Sequence, residues 1–151
     1  MDAKADSRVE IVSDAGTMLA IVVRAEFREA GIHFFTDNTF SQQLAYMRHP
    51  TGKVIEPHMH NQVTREVHRT QEVLLIKGGR LRVDFYSGSG DRYLDSRVLK
   101  AGDVILLVSG GHGFEVLEDV EMIEVKQGPY VGDQDKRRIP RLDPSAVRIV
   151  E

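Results

Sequence analysis

The chain has 151 residues, 41% of them apolar and 28% charged, with a formal net charge of −3, which is the composition of one ordinary globular domain. Basic and acidic residues are interspersed, so no basic face is expected for nucleic acid and no polybasic run for an anionic membrane. There is no cysteine, which excludes disulfides, thiolate nucleophiles, zinc fingers and iron–sulfur clusters and leaves imidazole and oxygen as the only donors for a metal ion.

The chain opens on MDAKADSRVE, which carries acids and lacks the apolar run of a signal peptide. The longest apolar run, Met18 to Val23, is too short to cross a bilayer, so a cytoplasmic protein without membrane contact is expected. From there, strand-length apolar runs alternate with turn signals. Val9–Val12 and Met18–Val23 flank Ser13-Asp14-Ala15-Gly16, and Arg24–Ala30 is the one stretch with helical character. Leu44–Met47 follows, then Val73–Ile76, Leu81–Tyr86, Val104–Val108, Phe114–Leu117 and Met122–Val125, separated by Gly-rich turns such as Gly78-Gly79 and Gly110-Gly111. Many short strands at near-regular spacing predict an all-β sandwich or barrel. Leu81, Val83 and Phe85 alternate with Arg80, Arg82 and Asp84, which predicts an apolar-in, polar-out partner in a hairpin with the preceding strand. After Gly132 a charged cluster and two prolines mark a tail whose Val147–Val150 segment is suited to an edge strand.

The chemistry concentrates between Gly52 and His112. In His58-Met59-His60, residues i and i+2 of a strand project from one face, so two imidazoles stand side by side, and Pro57 fits a strand start or an edge. Strand parity places Glu72 on one face with Leu74 and Ile76, where a carboxylate is costly unless it is paired or bound to a cation. His112 follows a glycine turn and opens a strand that carries Phe114 and Val116 on its own face. If the sheet closes, His112 meets the other two histidines, and three imidazoles with one carboxylate leave open positions on an octahedral ion. Glu124 and Lys126 share a face near the end of the last strand, either as a solvated ion pair or as a charged pair lining a cavity. Tyr46 and Arg48 precede the histidine pair and are candidates to grip a substrate hydroxyl or carboxylate. His33 and His49 have no such context.

These residues resemble the two motifs of the cupin superfamily. Gly52, five residues, then His58 and His60, and further on Glu72, six residues and Gly79, resemble the first motif; Gly102-Asp103 and His112 resemble the second. The resemblance covers about residues 43 to 127. It implies a double-stranded β-helix, or jelly-roll barrel, in a single domain spanning 1–151, with N-terminal strands over 8–35 and a tail over 132–151. It also implies a metal held by His58, His60, Glu72 and His112. Eleven residues, Asn61 to Gln71, separate the histidine pair from Glu72, so Glu66, His68 and Gln71 are alternatives for the fourth ligand. Cupins commonly dimerise through outer sheet edges, and outward-facing Val73 and Leu75 suit a homodimer.

The function expected from the resemblance is that of a mononuclear metal-dependent enzyme with Fe, Mn, Ni or Zn acting on a small polar metabolite by oxygenase, isomerase or lyase chemistry. Glu72, Tyr46 and Arg48 are then the candidate catalytic side chains. The alternatives are a sugar-modifying isomerase or epimerase of cell-surface polysaccharide synthesis that uses a histidine base, and a non-catalytic small-ligand-binding barrel.

Overall fold

A computed structural model describes residues 6–151. The N-terminal residues weighed above as a leader lie, as far as Ala5, outside the described residues. Contacts within the chain divide it into two compact units, one formed by residues up to 27 together with 69–151, the other by Arg28–His68.

The first unit is a strongly curled antiparallel sheet forming a half-barrel. Its strands are β1 (Val9–Asp14), β2 (Thr17–Val23), β5 (Glu72–Tyr86), β6 (Tyr93–Lys100), β7 (Val104–Leu107) and β8 (Gly111–Lys126). β1 and β2 form a hairpin closed by Ala15 and Gly16, both at positive φ, a turn whose twist suits antiparallel strands. The order is β1-β2-β7-β5-β6, with β8 on the other edge of β5.

The curl has a definite origin. The first half of β5 pairs with β7 on one side and with the C-terminal half of β8 on the other; its second half pairs with β6 and with the N-terminal half of β8. Between the halves the register slips three times, around Gly78 and Arg80. Gly79 sits at φ +78°, and a Cβ there would lie 2.0 Å from the carbonyl oxygen of Asp119. Only glycine lets the two strands pass so closely, and the bulges fold both of them over at this point. The sheet therefore makes two facing layers. Val12, Val22, Leu74, Ile105 and Leu107 on one meet Leu81, Val83, Phe85 and Leu99 on the other, all buried. Each such side chain stabilises the fold by about 1.5–3 kcal/mol before the entropic cost of ordering it. An ion pair and a hydrogen bond tie the layers together: Arg97 Nε donates to Glu10 Oε2 at 2.9 Å, and Arg24 Nη1 donates to the Val98 carbonyl at 2.9 Å.

Several expectations change. The segment 24–30 is not helical: Arg24 bonds to Glu10 and Asp103, and the Ala25 amide donates to Asp103. These tertiary bonds override a weak local propensity. The expected hairpin at Gly78-Gly79 is a bend within one 15-residue strand, and the runs at Phe114–Leu117 and Met122–Val125 belong to one 16-residue strand. β6 was not visible as a strand because its inward Asp95 and Arg97 are paired with each other rather than apolar. Arg82 and Asp84 alternate with the inward Leu81, Val83 and Phe85 as expected, yet they form a largely buried ion pair at 2.7 Å. The tail does add to an edge: Ile149 bridges Ser96 of β6, through Ser96 N to Arg148 O at 2.8 Å and Val150 N to Ser96 O at 2.9 Å.

The second unit holds a small hairpin of β3 (Gly31–Phe34) and β4 (Ala45–Arg48). Its long loop is organised by Asp37, which accepts from the Thr39 amide at 2.7 Å, and by Thr36, whose hydroxyl oxygen accepts from the Leu44 amide at 3.1 Å. A turn at Pro50–Lys53 follows, and from Lys53 to Arg69 the backbone has no regular structure.

Candidate functional site

Glu72 is the first residue of β5, between Leu107 of β7 and Lys126 of β8 in the ladder. His112 is the second residue of β8, opposite Phe85 near the far end of β5. Along the strands they are far apart. The fold at Gly79 turns one layer onto the other, and His112 Nε2 comes within 3.3 Å of Glu72 Oε2. The Glu72 side chain is 10% exposed and that of His112 is 31% exposed, so the pair sits at the rim of the interior.

Lys126 completes the arrangement. Its Nζ lies 3.9 Å from Glu72 Oε1 and 3.3 Å from Glu124 Oε1. The Glu72 carboxylate thus has an imidazole on one oxygen and an ammonium near the other. The hydrogen bond from His112 holds its pKa below the usual carboxylate value, against the opposing effect of burial, with the positive charges of His112, Lys126 and Lys136 adding to the effect. The hydrogen bond to Glu124 and its charge raise the Lys126 pKa. Beside this polar group, Phe114 packs its ring 5.3 Å from that of His112, and Phe114, Val116 and Met122 share the inner face of β8 with it while staying partly exposed. The site is therefore polar at one end and apolar toward the bend.

The remaining sequence-nominated residues fall elsewhere. His58 and His60 lie in the irregular, exposed segment of the second unit and not in a strand, yet their rings stand 5.4 Å apart, edge to face. His58 Nδ1 is 2.9 Å from the Glu56 carbonyl. His68 and Glu66 form an exposed pair at 3.3 Å. Gln71 is buried beside the start of β5, where its carbonyl accepts from the Gln127 amide at 3.0 Å. Tyr46 pairs with His33 in the β3–β4 ladder, and Arg48 Nη1 donates to the Arg28 carbonyl at 2.7 Å. His33 Nε2 approaches the Ala30 carbonyl at 2.9 Å. The His49 Nε2 atom is buried without a partner.

The four expected ligands therefore stand as two pairs, His58 with His60 and Glu72 with His112. Among the described residues no group of three His, Asp or Glu side chains is placed to hold a metal ion. Lys126 was reachable from sequence only as one half of an i, i+2 charge pair with Glu124; its approach to Glu72 follows from the ladder register of β8. No helix among the described residues is long and apolar enough to cross a membrane. The chain matches no family model, no curated protein and no solved structure.

Proposed function

We propose that the protein is a metal-dependent enzyme acting on a small polar metabolite, with Glu72 and His112 of the half-barrel as ligands of the metal ion. The observation that carries this reading is the 3.3 Å approach of His112 to Glu72. The two groups start from distant ladder positions and meet at the spacing of neighbouring ligands: donors about 2.1 Å from one ion lie roughly 3.0–3.4 Å apart at octahedral to tetrahedral angles. The adjacent imidazoles of His58 and His60, in the second unit, are a separate pair of donors of metal-binding chemistry. When bound, the ion would polarise substrate oxygens as a Lewis acid. Phe114, Val116 and Met122 would hold the apolar part of the substrate, and Lys126 would keep the Glu72 carboxylate ionised.

Titration of chelator-treated protein with Mn(II), Ni(II) and Zn(II), with elemental analysis of untreated protein, tests this. One ion per chain is expected, with affinity falling at least about tenfold in Glu72→Gln and in His112→Ala. An absence of binding to wild type, or full occupancy in the double variant, overturns it.

A second reading is favoured by Lys126, whose ammonium stands 3.9 Å from Glu72 on the side away from His112. Here no metal is needed: Glu72 orients His112, and the imidazole acts as general base or acid in an isomerase or epimerase acting on a sugar. This reading gains ground if wild type binds none of the three ions and if turnover of a candidate sugar follows the ionisation of one histidine.

A further inference from the structure

β8 leaves an unusual amount of surface unsatisfied. Among the described residues it pairs only with β5, so the other edge of a 16-residue strand offers its amides and carbonyls to no partner. Its two faces are also open. On the outer side Ile123 is 50% and Val125 55% exposed, opposite Leu75 and Val73 in the ladder; on the inner side Val116 is 56% exposed. A long unpaired edge flanked by exposed apolar side chains can take an added strand.

Residues 53–68 match that edge in length, pattern and charge. They number sixteen, have no regular structure and are exposed, with Met59 at 85% and Val63 at 57%. Written as a strand they alternate. Ile55, Pro57, Met59, Val63 and Val67 fall on one face, and Glu56, His58, His60, Gln62, Thr64, Glu66 and His68 on the other, with Lys53, Val54, Asn61 and Arg65 as exceptions. Charge decides against β8 pairing with a second β8. That strand carries five acids (Glu115, Glu118, Asp119, Glu121, Glu124) and one lysine (Lys126), so two of them would meet with a net charge of −4 each. In 53–68, Lys53 and Arg65 balance Glu56 and Glu66, leaving no net charge and three imidazoles.

We propose that two copies of the chain exchange residues 53–68, each laying this segment as an extra strand along the free edge of β8 in its partner. Hydrophobic matching selects the register parity. Ile55, Met59 and Val63 join the outer patch of Val73, Leu75, Ile123 and Val125, which turns His58 and His60 to the inner face that carries His112, Glu124 and Lys126. Each site then draws residues from both copies.

Light scattering on the full chain at about 10 μM tests the exchange, since an interface of ordinary size holds at such concentrations. Wild type is expected at twice the monomer mass. Met59→Asp and Ile123→Asp should each weaken the dimer at least about tenfold. Ile11→Asp, at an equally exposed site on β1 (59%), should leave it intact. Chains labelled with ¹⁴N and ¹⁵N, unfolded and refolded together, are then treated with an amine cross-linker. About half of the Lys53 links to Lys77 or Lys126 should join a heavy chain to a light one, as random pairing in a two-fold dimer requires. A monomeric wild type, a dimer indifferent to both variants, or links confined to single chains overturns the proposal. Metal content measured on the same samples separates the two readings: an exchanged dimer that binds no ion keeps this inference and removes the metal site, and a metal-loaded monomer does the reverse.

Discussion

Asp103 shows how a residue can belong to a suggestive motif and owe its place to something else. Its side chain is fully buried and accepts from the Ala25 amide at 2.9 Å, the Lys100 amide at 3.0 Å and Arg24 Nη1 at 3.1 Å. It locks the turn before β7 and anchors the exit from β2. Asp103→Ala should lose about 3–5 kcal/mol, because it leaves Arg24 and two amides without their acceptor; urea denaturation of the variant measures this. Glu72 gives a prediction in pH. Its folded pKa lies below the unfolded value near 4.5, so in that window the unfolded state binds the additional proton. The Glu72 contribution is complete above the unfolded value and is lost as pH falls through the lower, folded one. Glu72→Gln should flatten the acid limb of a stability–pH curve; an unchanged limb would mean that the contact with His112 contributes nothing to folding.

At the level of elements, the bend in β5 and β8 governs everything the site does. Gly79→Ala places a methyl group against the Asp119 carbonyl at a positive φ, and should cost at least about 2 kcal/mol and separate His112 from Glu72. Thermal melts and loss of the Glu72-dependent acid limb are the two measurements that check it. Much of this sheet was readable in advance. The apolar runs of β1, β2, β5 and β7 are where alternation and turn residues put them, and Leu81, Val83 and Phe85 face inward as parity requires. The bend was not readable, because Gly78-Gly79 serves a hairpin turn and a double bulge equally well, and only the partner strand distinguishes them. For the same reason Glu72 and His112 could be named individually, while Lys126 could not be joined to them. The strand expected at His58–His60 is irregular backbone: its alternating pattern describes a strand that has found no neighbour within the described ladders.

For the molecule as a whole, a bound cation should act as a ligand of the folded state. At a hundred times its dissociation constant it adds about 2.7 kcal/mol, so Mn(II), Ni(II) or Zn(II) should raise the melting temperature of wild type and raise that of His112→Ala by about half as much or less. Equal shifts in both would place the ion elsewhere. The topology also dictates when the protein can fold. β2 finds its second neighbour only in β7, where Val23 meets Val104, and the first half of β5 waits for the last residues of β8, where Glu72 meets Lys126. A nascent chain emerging from the ribosome can close the β1–β2, β3–β4 and β5–β6 pairs early, but its central sheet waits for β7, which ends at Leu107, and the β5–β8 ladder waits for Lys126. Until β7 emerges, the apolar runs Met18–Val23 and Val73–Ile76 lack the strand that joins them. Folding of the half-barrel is thus a late, all-at-once event dominated by loop closure, and milliseconds to seconds is the expected timescale. Slow translation through the final third of the message would prolong the interval in which aggregation competes.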